Sequence, residues 1–443
     1  MTPHVAVVGG GWAGLAAAVQ ARAQGHQVTV FEATRLWGGR ARALPTSDGA
    51  AAGLDNGQHI LIGGYSATLG LMARVGAPPT QLLHAMPLDL RLADGGGLAV
   101  PAWAGRWPAP VDLMAAIATA QGWHWRERLA LLRATGAWRA RGFRCAADLT
   151  VAELCRPLPQ RVMDEMLAPL CLAALNTPPE QASAAVFLRV LHDALLGPGH
   201  GAWRASTLLL PRVPLSALFP LPAVAWLQAR GAKLRPGERV QALRPGDNGW
   251  WLLGQDGARL TETPFQEVIL ACPAGEAARL CEGLDGEAPR QWAQRARALG
   301  HEAIATVYLQ VPATHAWPGA HPMLALRTHG HPAAAQFAFD RGQLGGPAGC
   351  WALVTSAGSR DRDELAAQAR RQAREQLGAA DAVVLATVVE KRATFACTPG
   401  LVRPGLAVGP GLWAAGDHVE GPYPATLEGA VRSGLAAAQA LQR

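Results

Sequence analysis

The chain has 443 residues, half of them apolar and only 16% charged, with a formal net charge of +7. That length suits two or three domains. A charge share below the ~25% usual for globular chains predicts a large core with some apolar surface to spare. Lys233 and Lys391 are the only lysines, so the positive charge is arginine; this usage is that of a GC-rich genome and says little about function, while a basic balance also suits anionic membrane surfaces or diphosphate-bearing metabolites. No basic tract with interleaved aromatics argues for nucleic acid, and no apolar run reaches the ~20 residues that span a bilayer. Seven cysteines, odd in number and without a C-x-x-C pair or metal-ligand spacing, read as free thiols in a reducing compartment.

Met1-Thr2-Pro3-His4 leads directly into a strand, which predicts no signal peptide. The strand Val5-Ala6-Val7-Val8 meets Gly9-Gly10-Gly11-Trp12-Ala13-Gly14, then a small-residue helix, then Val28-Thr29-Val30-Phe31-Glu32. Strand, G-x-G-x-x-G, helix, strand and acid in this order form a dinucleotide-binding fingerprint. Gly9 serves the tight turn, Gly11 the approach of a pyrophosphate, and Gly14 the packing of helix on strand. The amides at Gly11, Trp12 and Ala13 open the helix and face the phosphates, while Glu32 is placed to accept from a ribose. Gly38-Gly39-Arg40 follows as a second glycine turn, with an arginine to meet a pyrophosphate from the other side.

Tyr65 to Val75 reads as a helix from the spacing of Leu69, Leu71, Met72 and Val75. Residues 86–200 lose the βαβ rhythm and become mostly helical. Within them Trp103 to Arg144 holds five of the 15 tryptophans (103, 107, 123, 125 and 138) and six arginines from Arg126 onward. Trp with Arg suits an interfacial helix on a membrane; a substrate-domain helix with core tryptophans and solvated arginines is the alternative. Residues 208–285 return to βαβ: a helix over Leu215 to Ala229, and strands over Ala232 to Leu234, Arg239 to Leu243 and Val268 to Ala271. Trp250 to Gly254 is expected to pair with a strand after the Asp256-Gly257 turn. Residues 300–356 alternate as strands of a second sheet, and Arg360 to Leu377 is an amphipathic helix with Leu365, Ala369 and Ala373 on one face. Near the end, the apolar strand Leu412-Trp413-Ala414-Ala415 runs into Gly416-Asp417, and Ala425 and Thr426 open a last helix. Asp417 at a strand end suits ribityl hydroxyls, and the helix start suits a flavin ring.

The three glycine segments together resemble the FAD-dependent amine oxidase and phytoene desaturase superfamily across essentially the whole chain. Asp55-Asn56-Gly57-Gln58-His59-Ile60-Leu61-Ile62-Gly63, Glu390-Lys391-Arg392-Ala393-Thr394-Phe395 and the run Pro424 to Gly434 are similar to its hydroxysqualene dehydroxylase branch. The resemblance implies an α/β fold: a Rossmann-like FAD-binding domain with a discontinuous α+β substrate domain. The FAD-binding parts would be residues 1–80, 208–285 and 398–443, and the substrate parts 81–207 and 286–397. It places Val240 beside the adenine. The residues around Glu420 and the bulky Tyr423 depart from the smaller neutral ones usual there, which bears on the inner cavity's shape.

The implied activity is reduction of hydroxysqualene, an allylic isoprenoid alcohol, to squalene by reduced FAD in squalene and hopanoid biosynthesis. A carotenoid or phytoene-type desaturase, an amine oxidase and a non-catalytic FAD-binding scaffold are the alternatives. An amine oxidase wants an aromatic cage, and of the three tyrosines only Tyr423 falls in a flavin-proximal motif. Loss of the hydroxyl needs an acid near the ring. Asp55 and His59 are the first candidates, with capping and a structural histidine as their ordinary alternatives. Lys391 is another, set against simple pairing with Glu390. No cysteine lies near the last motif, so the FAD is expected to be non-covalent. A second dinucleotide motif is missing, which leaves NAD(P)H as an external reductant or a separate reductase. The expected partners are the isoprenoid substrate and neighbouring squalene-pathway enzymes. The expected location is cytoplasmic, with peripheral contact with the inner membrane.

Overall fold

The structure, a computed structural model, describes residues 3–45, 53–105, 107, 110–312 and 315–442. One side is a six-stranded sheet in the order Ala407–Gly409, Leu412–Ala414, Glu267–Leu270, His4–Val8, Gln27–Glu32 and Lys233–Pro236. All neighbours are parallel except the first pair. Val5 to Val8 and Glu267 to Leu270 are buried throughout, as expected of central parallel strands covered on both faces. Stretches far apart in sequence thus share one sheet.

The Trp12–Ala23 helix lies against this sheet and is almost wholly buried. Its alanines let the last helix, Leu427–Gln439, cross closely over it. A Cβ at Gly434 would stand 2.2 Å from the Ala13 carbonyl oxygen, so only glycine fits at the crossing. The second sheet is antiparallel, in the order Met323–Ala325, Phe337–Asp340, Cys350–Ser356, His301–Gln310 and Val383–Phe395. The Arg362–Leu377 helix covers one face of it through Leu365, Ala369 and Ala373. Asp361 caps that helix by accepting from the amides of Asp363 and Glu364.

Several boundaries differ from the sequence reading. The helix expected over Leu215 to Ala229 is two pieces, Leu215–Leu218 and Pro220–Gln228. Pro220 has no amide proton and disfavours helical backbone at the residue before it, and Phe219 turns to φ −144°. The strand expected over Arg239 to Leu243 starts only at Ala242 and runs to Gly246. It pairs antiparallel with Gly249–Leu253, so that strand's main partner lies before it in the chain and not beyond Asp256-Gly257. Only isolated bridges, Leu253 with Arg259 and Trp250 with Phe265, tie the later segment to it.

Candidate flavin site

Gly9 leaves the first strand at φ +120°, and a Cβ there would meet the Ala271 carbonyl oxygen at 2.5 Å. A Cβ at Gly14 would lie 1.9 Å from the Gly9 carbonyl oxygen, so this glycine seats the helix on the turn. Gly10 is demanded too, since Trp37 packs over it with ring carbon 2.3 Å from a would-be Cβ. The sequence reading passed over that position because it is the variable letter of the motif. Gly11 is different. A Cβ there makes only ordinary contact with Gly39 Cα at 3.8 Å, so packing within the chain does not call for glycine.

Gly11 opens the Trp12–Ala23 helix in extended backbone with no side chain capping the first-turn amides. Those donors need partners from elsewhere, and the helix dipole favours an anion there. The second glycine turn lies directly against the first, with the Gly38 amide donating to Gly10 O at 2.9 Å. A Cβ at Gly39, φ +62°, would come within 3.1 Å of Gly11 Cα. Trp12 pins the helix start by donating its indole N–H to Ala41 O at 2.9 Å, and Ala13 is buried beside it. Glu32 takes the Gly10 amide on one carboxylate oxygen and Thr34's amide and hydroxyl on the other, at 2.8–2.9 Å. It therefore sits beside the glycine turn at the strand end.

Arg40 gathers the remaining segments. Its Nη2 pairs with Asp417 Oδ1 at 2.5 Å, and its Nη1 donates to the carbonyl of Ala393. Burial by itself would raise the Asp417 pKa, but the Arg40 and His418 charges outweigh it and hold the carboxyl well below its ordinary range. Gly416 precedes it at φ +157°, where a Cβ would strike the His418 ring at 2.4 Å, and its amide donates to Ser433 Oγ. Thr426 caps the last helix, its hydroxyl accepting from the Gly429 amide at 3.0 Å, with Ala425 half-buried before it. Val240 is buried in the cluster that holds Val8 and Phe31, its carbonyl accepting from Arg279.

The three candidate catalytic residues separate. Asp55 is buried with both carboxylate oxygens engaged: Oδ1 accepts from the Leu215 amide at 2.8 Å and Oδ2 faces Arg341 Nη1 at 3.4 Å. Tyr308 donates to its peptide oxygen. These partners fit the capping alternative, with Arg341 as the paired cation. Burial pushes its pKa up to about 6, against the pull of Leu215 and Arg341. Arg341, which also donates to Gln58 Oε1 at 2.9 Å, was not picked from sequence because nothing local marks it.

His59 stays with the site. Its Nδ1 lies 3.0 Å from Gly57 O, and burial, then the Arg40 charge, lower its pKa below the ordinary histidine value. Because a carbonyl only accepts, Nδ1 carries a proton, and Nε2 is the nitrogen left to exchange one. Asn56, inside the same motif, donates to Arg40 O and Glu390 Oε2 and so ties the segment to the far strand. Lys391 is exposed on Val383–Phe395, and among the described residues no ion pair joins it to Glu390. The pairing register slips between Glu302 and Ile304, which leaves residues 391–393 bulged beside Arg40. Bulges of this kind re-aim side chains next to active sites. His301 is a further member missed by the sequence reading, half-buried, with a pKa lowered by burial and by Arg392 and Arg40.

The model of the family described as flavin containing amine oxidoreductase matches residues 12–442. The chain belongs to that family. A flavin cofactor and oxidoreductase chemistry follow from membership. The chain is similar to a hydroxysqualene dehydroxylase of Rhodopseudomonas palustris, 30% identical over 99% of this chain and 98% of that one. A protein of the same name from Sinorhizobium fredii is 28% identical over the same shares. An oxidoreductase structure from Methanosarcina mazei superposes with TM-score 0.71 at 16% identity, covering 98% of this chain and 99% of that one, which speaks to the fold alone. The family's flavin fits the residues present. Gly11 is free of any packing need for glycine, the first-turn amides lack caps, and the buried Nε of Arg42 and Nε2 of His418 have no protein partner.

Proposed function

We propose that this chain reduces hydroxysqualene to squalene, replacing the allylic C–OH with C–H and releasing water, with FAD held non-covalently. End-to-end similarity to proteins named hydroxysqualene dehydroxylase carries the reading. Gly9, Gly11, Trp12, Ala13, Gly14 and Glu32 would hold the adenosine and pyrophosphate side together with Gly38, Gly39, Arg40 and Val240. Gly416, Asp417, Ala425 and Thr426 would hold the ribityl and ring side. Reduced FAD supplies the hydride, and the chain supplies orientation and the proton that leaves with the hydroxyl.

His59 and Lys391 are the proton-handling residues of this reading, and Asp55, held by Leu215 and Arg341, is a positioning residue. Electrons come from NAD(P)H docking from solution or from a separate reductase, and the substrate from neighbouring enzymes of squalene and hopanoid synthesis. The test is single turnover: photoreduced protein mixed with detergent-dispersed hydroxysqualene should reoxidise while squalene appears. Without squalene the proposal fails, and a more unsaturated product would favour a desaturase. Lys391→Ala and His59→Ala should each slow the step by roughly 10²–10⁴-fold, the range for a lost proton-transfer group. If protonated His59 is the donor, the rate should decline as pH rises through a midpoint below 6.5, since its pKa is lowered.

A further inference from the structure

The structure divides the tryptophans of the 103–144 region into two sets. Trp123 and Trp138 are core, and Trp123 donates its indole N–H to Glu165 Oε2 at 2.8 Å. Trp103, Trp107 and Trp125 are 59%, 42% and 66% exposed. Trp103 and Trp107 pack edge-on with ring centroids 4.8 Å apart. The Val111–Ala118 helix begins four residues beyond Trp107 and turns Val111, Met114 and Ala118 outward, an i, i+3, i+7 stripe. Its one acid, Asp112, is buried and paired with Arg204 at 3.0 Å, so the outward stripe is free of charge. Arg128 donates to Ala118 O and Ala120 O, which holds the start of the Trp125–Ala140 helix against the end of the shorter one.

Charge completes the picture. Residues 101–147 contain seven arginines against two acids, Asp112 and Glu127. Arg126, Arg133, Arg139, Arg141 and Arg144 are exposed, and Arg126 lies 5.4 Å from the Trp125 ring. Half of the ten large apolar side chains exposed among the described residues fall between Trp103 and Trp125. Among the described residues no helix is long and apolar enough to cross a membrane. Exposed tryptophan beside uncompensated arginine matches the headgroup layer of an anionic bilayer, where rings settle at the acyl boundary and guanidinium groups meet phosphates.

We propose that Trp103, Trp107, Val111, Met114 and Trp125 form a surface that docks this protein on anionic lipid bilayers without spanning them. This goes beyond the reaction proposed above and does not depend on it.

The flavin-loaded protein should sediment with phosphatidylglycerol vesicles at low salt. It should bind phosphatidylcholine vesicles weakly and be released as salt rises, because exposed charges are screened. Trp103→Ser with Trp125→Ser should weaken partitioning by about tenfold per tryptophan while leaving the flavin spectrum unchanged. Leu221→Ser with Val402→Ser, exposed apolar residues elsewhere, should leave it unaltered. Three results would overturn the proposal. Wild-type protein could stay in the supernatant with phosphatidylglycerol. Binding could be equal in the tryptophan variant. Light scattering could show a wild-type dimer that the tryptophan variant dissociates, which would make the surface an interface between copies. Turnover of detergent-dispersed substrate without vesicle binding would sink the docking surface and leave the proposed reaction standing.

Discussion

Single residues at the glycine turns carry different loads. Gly14 is required by packing, with 1.9 Å to a backbone oxygen that cannot swing aside, whereas Gly11 has room for a methyl within the chain. Gly14→Ala should therefore cost the protein its folding, seen as insoluble or molten protein. Gly11→Ala should fold with near-normal circular dichroism yet purify with little flavin, because the methyl would stand where a phosphate approaches the helix amides. If Gly11→Ala keeps full flavin content, that role is wrong. The Asp55 carboxyl offers a second residue-scale test. The folded chain holds its proton up to about pH 6, where the unfolded chain releases it near 3.8. Its contribution to stability therefore shrinks as pH rises from about 4 to 6, by as much as ~3 kcal/mol in the limit of two pKa units. Denaturation of Asp55→Asn across this range should show a flatter profile than wild type; identical slopes would rule out Asp55 as the source. Asp417 has the opposite sign. Its lowered pKa adds stability above its ordinary value that is lost as pH falls further into acid, so the two carboxyls act in different windows.

At the scale of elements, the crossing of the first and last helices determines whether the two helix starts sit on one sheet. The contact rests on small residues, and Gly434 is its tightest point, 2.2 Å from Ala13 O were a Cβ added. Gly434→Ala should push the helices apart and lower stability by about 1–3 kcal/mol, the usual cost of overpacking, although alanine is the better helix former. A thermal melt unchanged or raised would show that the crossing yields cheaply. The Leu215 to Ala229 segment shows a limit of periodicity. Its apolar spacing suits a single helix, but Pro220 overrides the pattern by a steric rule acting at one bond. The broken start presents the Leu215 amide to Asp55, so the break itself creates the cap.

Across the whole molecule, the site is a meeting of segments that are distant in sequence. Arg40 and Asp417 are 377 positions apart, and Asp55 and Arg341 are 286 apart. The glycine turns, the strand that ends in Glu32 and the Gly416-Asp417 corner were legible because each is a local event. Turn conformation, helix starts and strand burial are set by neighbouring residues, and they leave contiguous signatures. Tertiary structure alone decided which partners each side chain meets. Asp55 and His59 share one short motif, yet the chain folds Asp55 toward Leu215 and Arg341 while His59 stays within reach of Arg40. Trp123 and Trp125 are two residues apart, yet one is buried in the apolar core with its indole bonded to Glu165 while the other faces outward. Burial and pairing depend on what arrives from elsewhere in the chain, and no local pattern carries that information.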